Sequence, residues 1–184
     1  MLTVSVPTGT ILCPDCRDCF ADCGRCAGLG YVNGDGTRTW DRREGGSGEV
    51  RVLITGSREF TDRETIAKAL SQVRRENGYR TLVVVHGAAR GADALAAAVV
   101  QGADPGRARQ EAYPVTDAEW RPDGPGGRLD YAAGPRRNKR MVDSGADICL
   151  AFFVAGAKNT GTKHCSNTAE KAGIPVRKFE QSPW

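Results

Sequence analysis

From residue 50 onward, long apolar runs alternate with segments of helical period. VRVLITG (50–56), TLVVVHG (81–87) and DICLAFFV (147–154) are apolar almost throughout. Such runs need burial on both faces, which a parallel sheet covered by helices supplies. Between the first two, Ile66, Leu70 and Val73 recur at helical spacing. Thr61 and Glu64 read as a capping box that opens this helix, and Asn77 with Gly78 ends it. Ala92 to Gln101 reads as a second helix, apolar on nearly every face and closed by Gly102. ARQEAYPV (108–115) is a third strand, followed by irregular chain to about Gly134. A short basic helix from Arg136 to Ser144, a helix from Thr162 to Ala172 and a last strand IPVRKF (174–179) complete the series. The expected class is α/β, a mostly parallel sheet with helices on both faces.

In open sheets of this kind, ligands bind at the carboxyl ends of the strands, where the strand order reverses. Three loops leave those ends: GSREF, HGAARGAD and VAGAKNTGT. In the first, Gly56 allows close approach, Ser57 offers a hydroxyl and Arg58 a guanidinium. In the second, Gly87 and Gly91 reach backbone angles closed to other residues, and the alanines leave the approach open. Its Arg90 can hold a phosphate or carboxylate through two hydrogen bonds. Asp93 either accepts from a sugar hydroxyl or favours the positive end of the following helix. In the third, Gly161 and Thr162 stand at a helix start, where Thr162 can cap the helix, bind phosphate or do both. A fourth element, AAGPRRNKRMV, brings Arg137 and Asn138 to a helix start facing the same region. Together the loops point to a phosphorylated ligand. The chain lacks GxxxxGK[ST], which excludes a P-loop NTPase, and lacks GxGxxG after the first strand, which argues against a dinucleotide dehydrogenase.

The chain of 184 residues suffices for one ordinary domain and a small appendage. Its net charge is +4, unevenly placed: residues 1–50 carry five basic and seven acidic side chains, and the rest carries 21 and 15. A modest basic excess on the larger part suits an anionic ligand and is too small to argue for nucleic acid by itself. No apolar run is long enough to span a bilayer, and the N-terminus lacks the features of a secretory signal, so a cytoplasmic protein with no membrane partner is expected.

VLITGSREF, VVHGAARGADALA, AAGPRRNKRMV and ADICLAFFVAGAKNTGTKHCSNTAEKAGIPV resemble, in order and spacing, the YspA-type, YpsA-related branch of the SLOG superfamily. Trp120, ahead of AAGPRRN, fits the same branch. The resemblance covers residues 50 to 180. It implies a Rossmann-like sheet that binds nucleotides or nucleotide-derived ligands such as ADP-ribose relatives. It places the site on Gly56, Ser57, Arg58, Gly87, Arg90, Gly91, Asp93, Arg137, Asn138, Gly161 and Thr162. The superfamily also holds the nucleic-acid-binding DprA proteins and the Lonely Guy enzymes, which hydrolyse N-glycosidic bonds of nucleoside monophosphates. Those enzymes carry PGGxGTxxE, and here the glutamate position holds Cys165. Proton transfer there needs a carboxylate, so the departure favours binding over hydrolysis. Glu170, five residues further along, faces elsewhere. His86 reads equally as a packed polar residue or a catalyst. His164 and Cys165 are helix neighbours that point in different directions.

Five of the seven cysteines fall in CPDCRDCFADCGRCAGLG. In a cytosolic chain this reads as metal before disulfide. Cys13, Cys16, Cys23 and Cys26 form two CxxC pairs able to give zinc four thiolates and no open position, hence a structural site. CGRCAGLG resembles the CxxCxGxG repeat of the DnaJ-type zinc region. Cys16 and Cys19 with Cys23 and Cys26 are another ligand set. Cys13, Cys16, Cys19 and Cys23 have ferredoxin spacing, so an iron–sulfur cluster is the rival cofactor, with zinc preferred.

The expected organisation is a zinc knuckle over 1–32, a Gly-rich linker over 33–49 and a ligand-binding domain over 50–184. The leading expectation is a sensor or sequestering module for a nucleotide-derived small molecule. N-glycosidic hydrolysis or transfer, and DprA-like binding of nucleic acid, are the alternatives. Self-association into a homo-oligomer is left open.

Overall fold

The computed structural model describes residues 10–12, 31–33 and 48–183. The chain divides into two compact units, Met1–Ser47 and Gly48–Trp184. In the first, strands Thr10–Leu12 (β1) and Tyr31–Asn33 (β2) pair antiparallel, with Ile11 opposite Val32. Cys13, Cys16, Cys19, Cys23 and Cys26 lie outside the described residues.

The second unit is built on Glu49–Gly56 (β3), Thr81–His86 (β4), Ala108–Ala112 (β5), Ile148–Val154 (β6) and Val176–Gln181 (β7). All four pairings are parallel, and the order across the sheet is β5-β4-β3-β6-β7. The chain moves outward from β3 to β4 and β5, then crosses to β6 and β7. The order therefore reverses between β3 and β6. This Rossmann-like arrangement follows from strands apolar on both faces. Val52, Ile54, Val84, Leu150 and Phe152 pack on one side with Ile66, Leu70, Ala92 and Ala96. Leu53, Val83, Val85 and Cys149 pack on the other with Met141, Val142, Cys165 and Ala169. Helices Arg63–Glu76 (α1) and Ala92–Gln101 (α2) thus cover the first face, and Ala133–Asp143 (α4) and Thr160–Lys171 (α5) the second.

The edge strands differ from the centre for a physical reason. β5 reads ARQEA, and its Arg109 pairs with Glu49 of β3 at 2.8 Å. Charged edges of this kind discourage pairing with another sheet. At the centre, Phe152 is fully buried between Phe60 and Phe179, with ring centroids 5.2 and 4.9 Å away.

Helix ends depart from the expected caps. Asp62, not Thr61, caps α1, accepting from Thr65 N at 2.9 Å. Thr61 is instead held by Gln181 of β7, whose Oε1 accepts from Thr61 N at 2.9 Å. The irregular stretch after β5 contains a short helix, Asp117–Trp120 (α3), opened by a capping box between Thr116 and Glu119. α4 begins at Ala133, so Pro135 sits in its first turn, where its missing N–H costs nothing. α5 begins at Thr160, with Asn159 at the N-cap position, which places Thr162 inside the helix rather than at its start. No helix among the described residues is long and apolar enough to cross a membrane.

Candidate functional site

β3 ends at Gly56, which stands beside Phe152 of β6, two residues before that strand ends at Val154. Ser57 N donates to Phe152 O at 2.8 Å. A Cβ on Gly56 would lie 2.3 Å from the Ala92 Cβ, so glycine here lets the start of α2 pack directly on β3. Gly91 is required twice over. Its φ is +79°, and a Cβ would lie 2.3 Å from Ser57 O. Ser57 O also accepts from Phe60 N and Ala92 N, both at 3.2 Å. The loops after β3 and β4 are therefore one bonded unit, from which Arg58 and Arg90 project exposed. Neither guanidinium has a hydrogen-bond partner or counter-ion among the described residues.

The HGAARGAD loop spends its own N–H groups internally. Asp93 is 5% exposed, and its Oδ2 accepts from Gly87 N at 3.0 Å and Ala89 N at 3.2 Å. Burial pushes its carboxyl above the ordinary range, opposed by those N–H groups and by the charge of Arg137. His86 is buried, with Nδ1 accepting from Ala88 N at 3.1 Å. Nδ1 is thus unprotonated, and Nε2 carries the proton toward Gln110 Oε1 at 3.1 Å. Both ring nitrogens are occupied, so His86 is a packed polar residue that shapes the loop. Asp93 likewise faces the protein. Of the two roles read for it, the structure shows one: holding the loop at the head of α2.

Arg137 and Asn138 bind the loops to α4. The Arg137 guanidinium donates to Gly87 O and, at 3.4 Å, to Tyr113 O. Burial lowers its pKa, offset by Asp93 and lowered further by the charge of Arg58. Arg137 Nε donates to Asn138 Oδ1 at 3.0 Å, and Asn138 Nδ2 donates to Gly161 O at 3.3 Å. One pair of side chains thereby ties the β4 loop, α4 and the start of α5 together.

That start is open. Asn159 has the left-handed φ of +46°, which asparagine tolerates, and turns its side chain back onto the strand. Its Nδ2 donates to Val154 O at 2.7 Å and Ala157 O at 3.0 Å, and its Oδ1 accepts from Val154 N at 3.3 Å. No side chain caps α5. Gly161 is exposed, and a Cβ there would meet nothing within 4 Å. Thr162, one residue on, is 3% exposed. An uncapped helix start carries outward N–H groups and partial positive charge. Asn159 was not singled out in the sequence, although an Asn-Thr-Gly run after an apolar strand is a signal for such a turn.

Cys165 lies in the core beneath this start. It is fully buried, engages the Thr55 hydroxyl, and burial pushes its thiol up to about 11. Cys149 is buried too, and burial pushes its thiol higher still. His164 is exposed, so the neighbours face different environments. Glu170 pairs with Lys178 at 2.9 Å, away from the loops. Among the described residues no group of His, Cys, Asp and Glu could hold a metal ion.

Comparison with known proteins fits this framework. Residues 50–104 match the YspA, cpYpsA-related SLOG family. The Gene 61 protein of Mycobacterium phage D29 is 44% identical over 137 residues, covering 72% of this chain and 98% of that protein. No solved structure matches. With the strand-end loops, the reversal between β3 and β6 and a relative aligned over nearly its whole length, this chain belongs to the YspA, cpYpsA-related SLOG family.

Proposed function

We propose that the larger unit binds a phosphorylated, nucleotide-derived ligand of ADP-ribose type at the carboxyl edge of the sheet, as a sensor or sequestering module. The observation that carries this reading is the open start of α5. Its N–H groups have no side-chain cap, Gly161 leaves free space above them, and they stand beside the β3–β6 reversal. In this reading the anion sits there rather than in the HGAARGAD loop, whose Gly87, Ala88 and Ala89 N–H groups are already engaged. Thr162 lies at the same start. Arg58 and Arg90 supply guanidinium groups that have no partner among the described residues, while Gly56, Ser57, Gly87, Gly91, Asp93, Arg137 and Asn138 hold their loops in place.

Binding without turnover has the better support. N-glycosidic cleavage needs a proton-transfer group in reach. Cys165 is a buried neutral thiol, Glu170 is turned to Lys178, and Asp93 is committed to the loop N–H groups. For the first unit, we propose structural zinc on Cys13, Cys16, Cys23 and Cys26, because four thiolates fill a tetrahedral ion and leave no open position.

Thermal shift of the full chain with ADP-ribose, AMP and inorganic phosphate tests the ligand reading. Stabilisation that rises with ligand concentration is expected, and Arg90→Ala should weaken it. Unchanged stabilisation in that variant would remove Arg90 from the site. Free base released from nucleoside monophosphates would favour the hydrolase. Tight, steeply salt-dependent binding of oligonucleotides with no mononucleotide shift would favour nucleic acid.

A further inference from the structure

We infer that Tyr131 is a stacking platform for the nucleobase of a mononucleotide-sized ligand. The inference rests on the phosphate seat proposed at the start of α5 and names the chemistry at the ligand's other end.

α4 descends from the carboxyl edge of the sheet to the amino edge. Near its start, Arg137 reaches Gly87 O and Asn138 reaches Gly161 O. Beyond its end, Gly145 O accepts from Arg51 Nε at 2.9 Å, close to the beginning of β3. The turn before Ala133 therefore stands at the carboxyl edge, beside the loops of the site. Tyr131 lies in that turn, seven residues ahead of Asn138. The helix itself starts at Ala133, about 7.5 Å of rise before Asn138, and Tyr131 stands two residues further out, a separation on the scale of one nucleotide.

Tyr131 is 79% exposed, and with Leu129 at 37% it is one of two exposed large hydrophobics among the described residues. Tyr131 lies within the turn and Leu129 immediately ahead of it. The exposure is built in rather than a product of slack. Asp130 N donates to Trp120 O at 2.9 Å, and Ala133 N donates to Asp130 O at 3.1 Å. The Asp130 carboxylate accepts from Ala132 N at 2.9 Å and pairs with Arg136 at 2.6 Å. Trp120 lies 3.9 Å from where a Cβ on Gly134 would stand. A tyrosine held in water by an ordered turn offers a large flat face with little entropy left to lose. Stacking on such a face tolerates any base, because every base has a π-face.

Binding of AMP and of ribose 5-phosphate to the full chain, Tyr131→Ala and Tyr131→Phe, measured by calorimetry, tests this. AMP should bind wild type about tenfold or more tightly than ribose 5-phosphate. Tyr131→Ala should abolish that preference while leaving ribose 5-phosphate affinity unchanged, and Tyr131→Phe should keep it. An AMP preference untouched in Tyr131→Ala would overturn the platform and leave the phosphate seat standing. A Tyr131-dependent gain seen with an oligonucleotide but not with AMP would also overturn it. If neither small ligand binds wild type, the phosphate seat falls and the platform falls with it.

Discussion

The guanidinium of Arg137 fills the space that a side chain on Gly87 would need: a Cβ there would lie 1.6 Å from Arg137 Nη1, the atom that donates to Gly87 O. The glycine and the arginine come from different elements and act as one joint. Gly87→Ala should therefore push the guanidinium out and cost about 1–3 kcal/mol. Arg137→Ala should cost about as much, by leaving Gly87 O unpaired and Asp93 without its cation. In the double variant the costs should not add, because the alanine methyl then enters vacated space. Urea unfolding of the four proteins measures the coupling, and simple additivity would count against the joint.

Two glycines of the same edge should respond in opposite ways. Gly91→Ala meets both a positive φ and a backbone oxygen 2.3 Å away, so a loss of about 3 kcal/mol or more is expected. Gly161→Ala meets open space inside a helix, so a gain of about 0.5–1 kcal/mol is expected. The same methyl would stand over the proposed anion seat. Gly161→Ala should thus raise the melting temperature and weaken ADP-ribose binding, a combination that a purely structural glycine would not give.

Asp93 sets a pH dependence of unusual sign. Burial raises its pKa above the ordinary 3.8, so the folded state takes up this proton before the unfolded state does. Asp93 therefore contributes more to stability as pH falls from above its raised folded value toward 3.8. Asp62, Glu76, Glu111 and Asp130 are held low by their partners and lose their contributions as pH falls through their own folded values. Total stability sums both effects, but a comparison with Asp93→Asn isolates one. The stability of wild type relative to Asp93→Asn should rise between pH 7 and pH 4. A flat or falling difference would contradict the buried carboxylate.

The cysteines should separate into two classes. Cys149 and Cys165 are buried and their thiols are pushed well up, so they should resist a thiol reagent until the protein is denatured. Under the zinc proposal, chelation should release about one zinc ion per chain and expose thiols of the N-terminal run. Iron and labile sulfide in anaerobically purified protein would replace zinc by a cluster.

Much of the architecture was legible in local pattern. The helix Ala92–Gln101 and its closure at Gly102 emerge at the expected residues, because a glycine after an apolar helical stretch is a local stop signal. The strand-end glycines were legible as close approaches, since only glycine removes the Cβ. Thr61 was misread because its rival cap, Asp62, stands beside it, and Gln181, 120 residues away in the chain, claims Thr61. The fate of the HGAARGAD loop was hidden for the same reason. A loop of small residues looks like a phosphate cradle until Asp93 and His86 fold beneath it and take its N–H groups.

The sequence by itself determined the alternating strands and helices, the glycines at the strand ends and the set of polar residues near them. These follow from periodicity and from backbone freedom, which are local. Only the tertiary structure decided which polar residues face inward and which stay free. Arg137, Asp93, His86 and Asn138 became the frame, while Arg58, Arg90 and the start of α5 were left without partners among the described residues. That division depends on hydrogen bonds between segments far apart in the chain, and no local pattern encodes it.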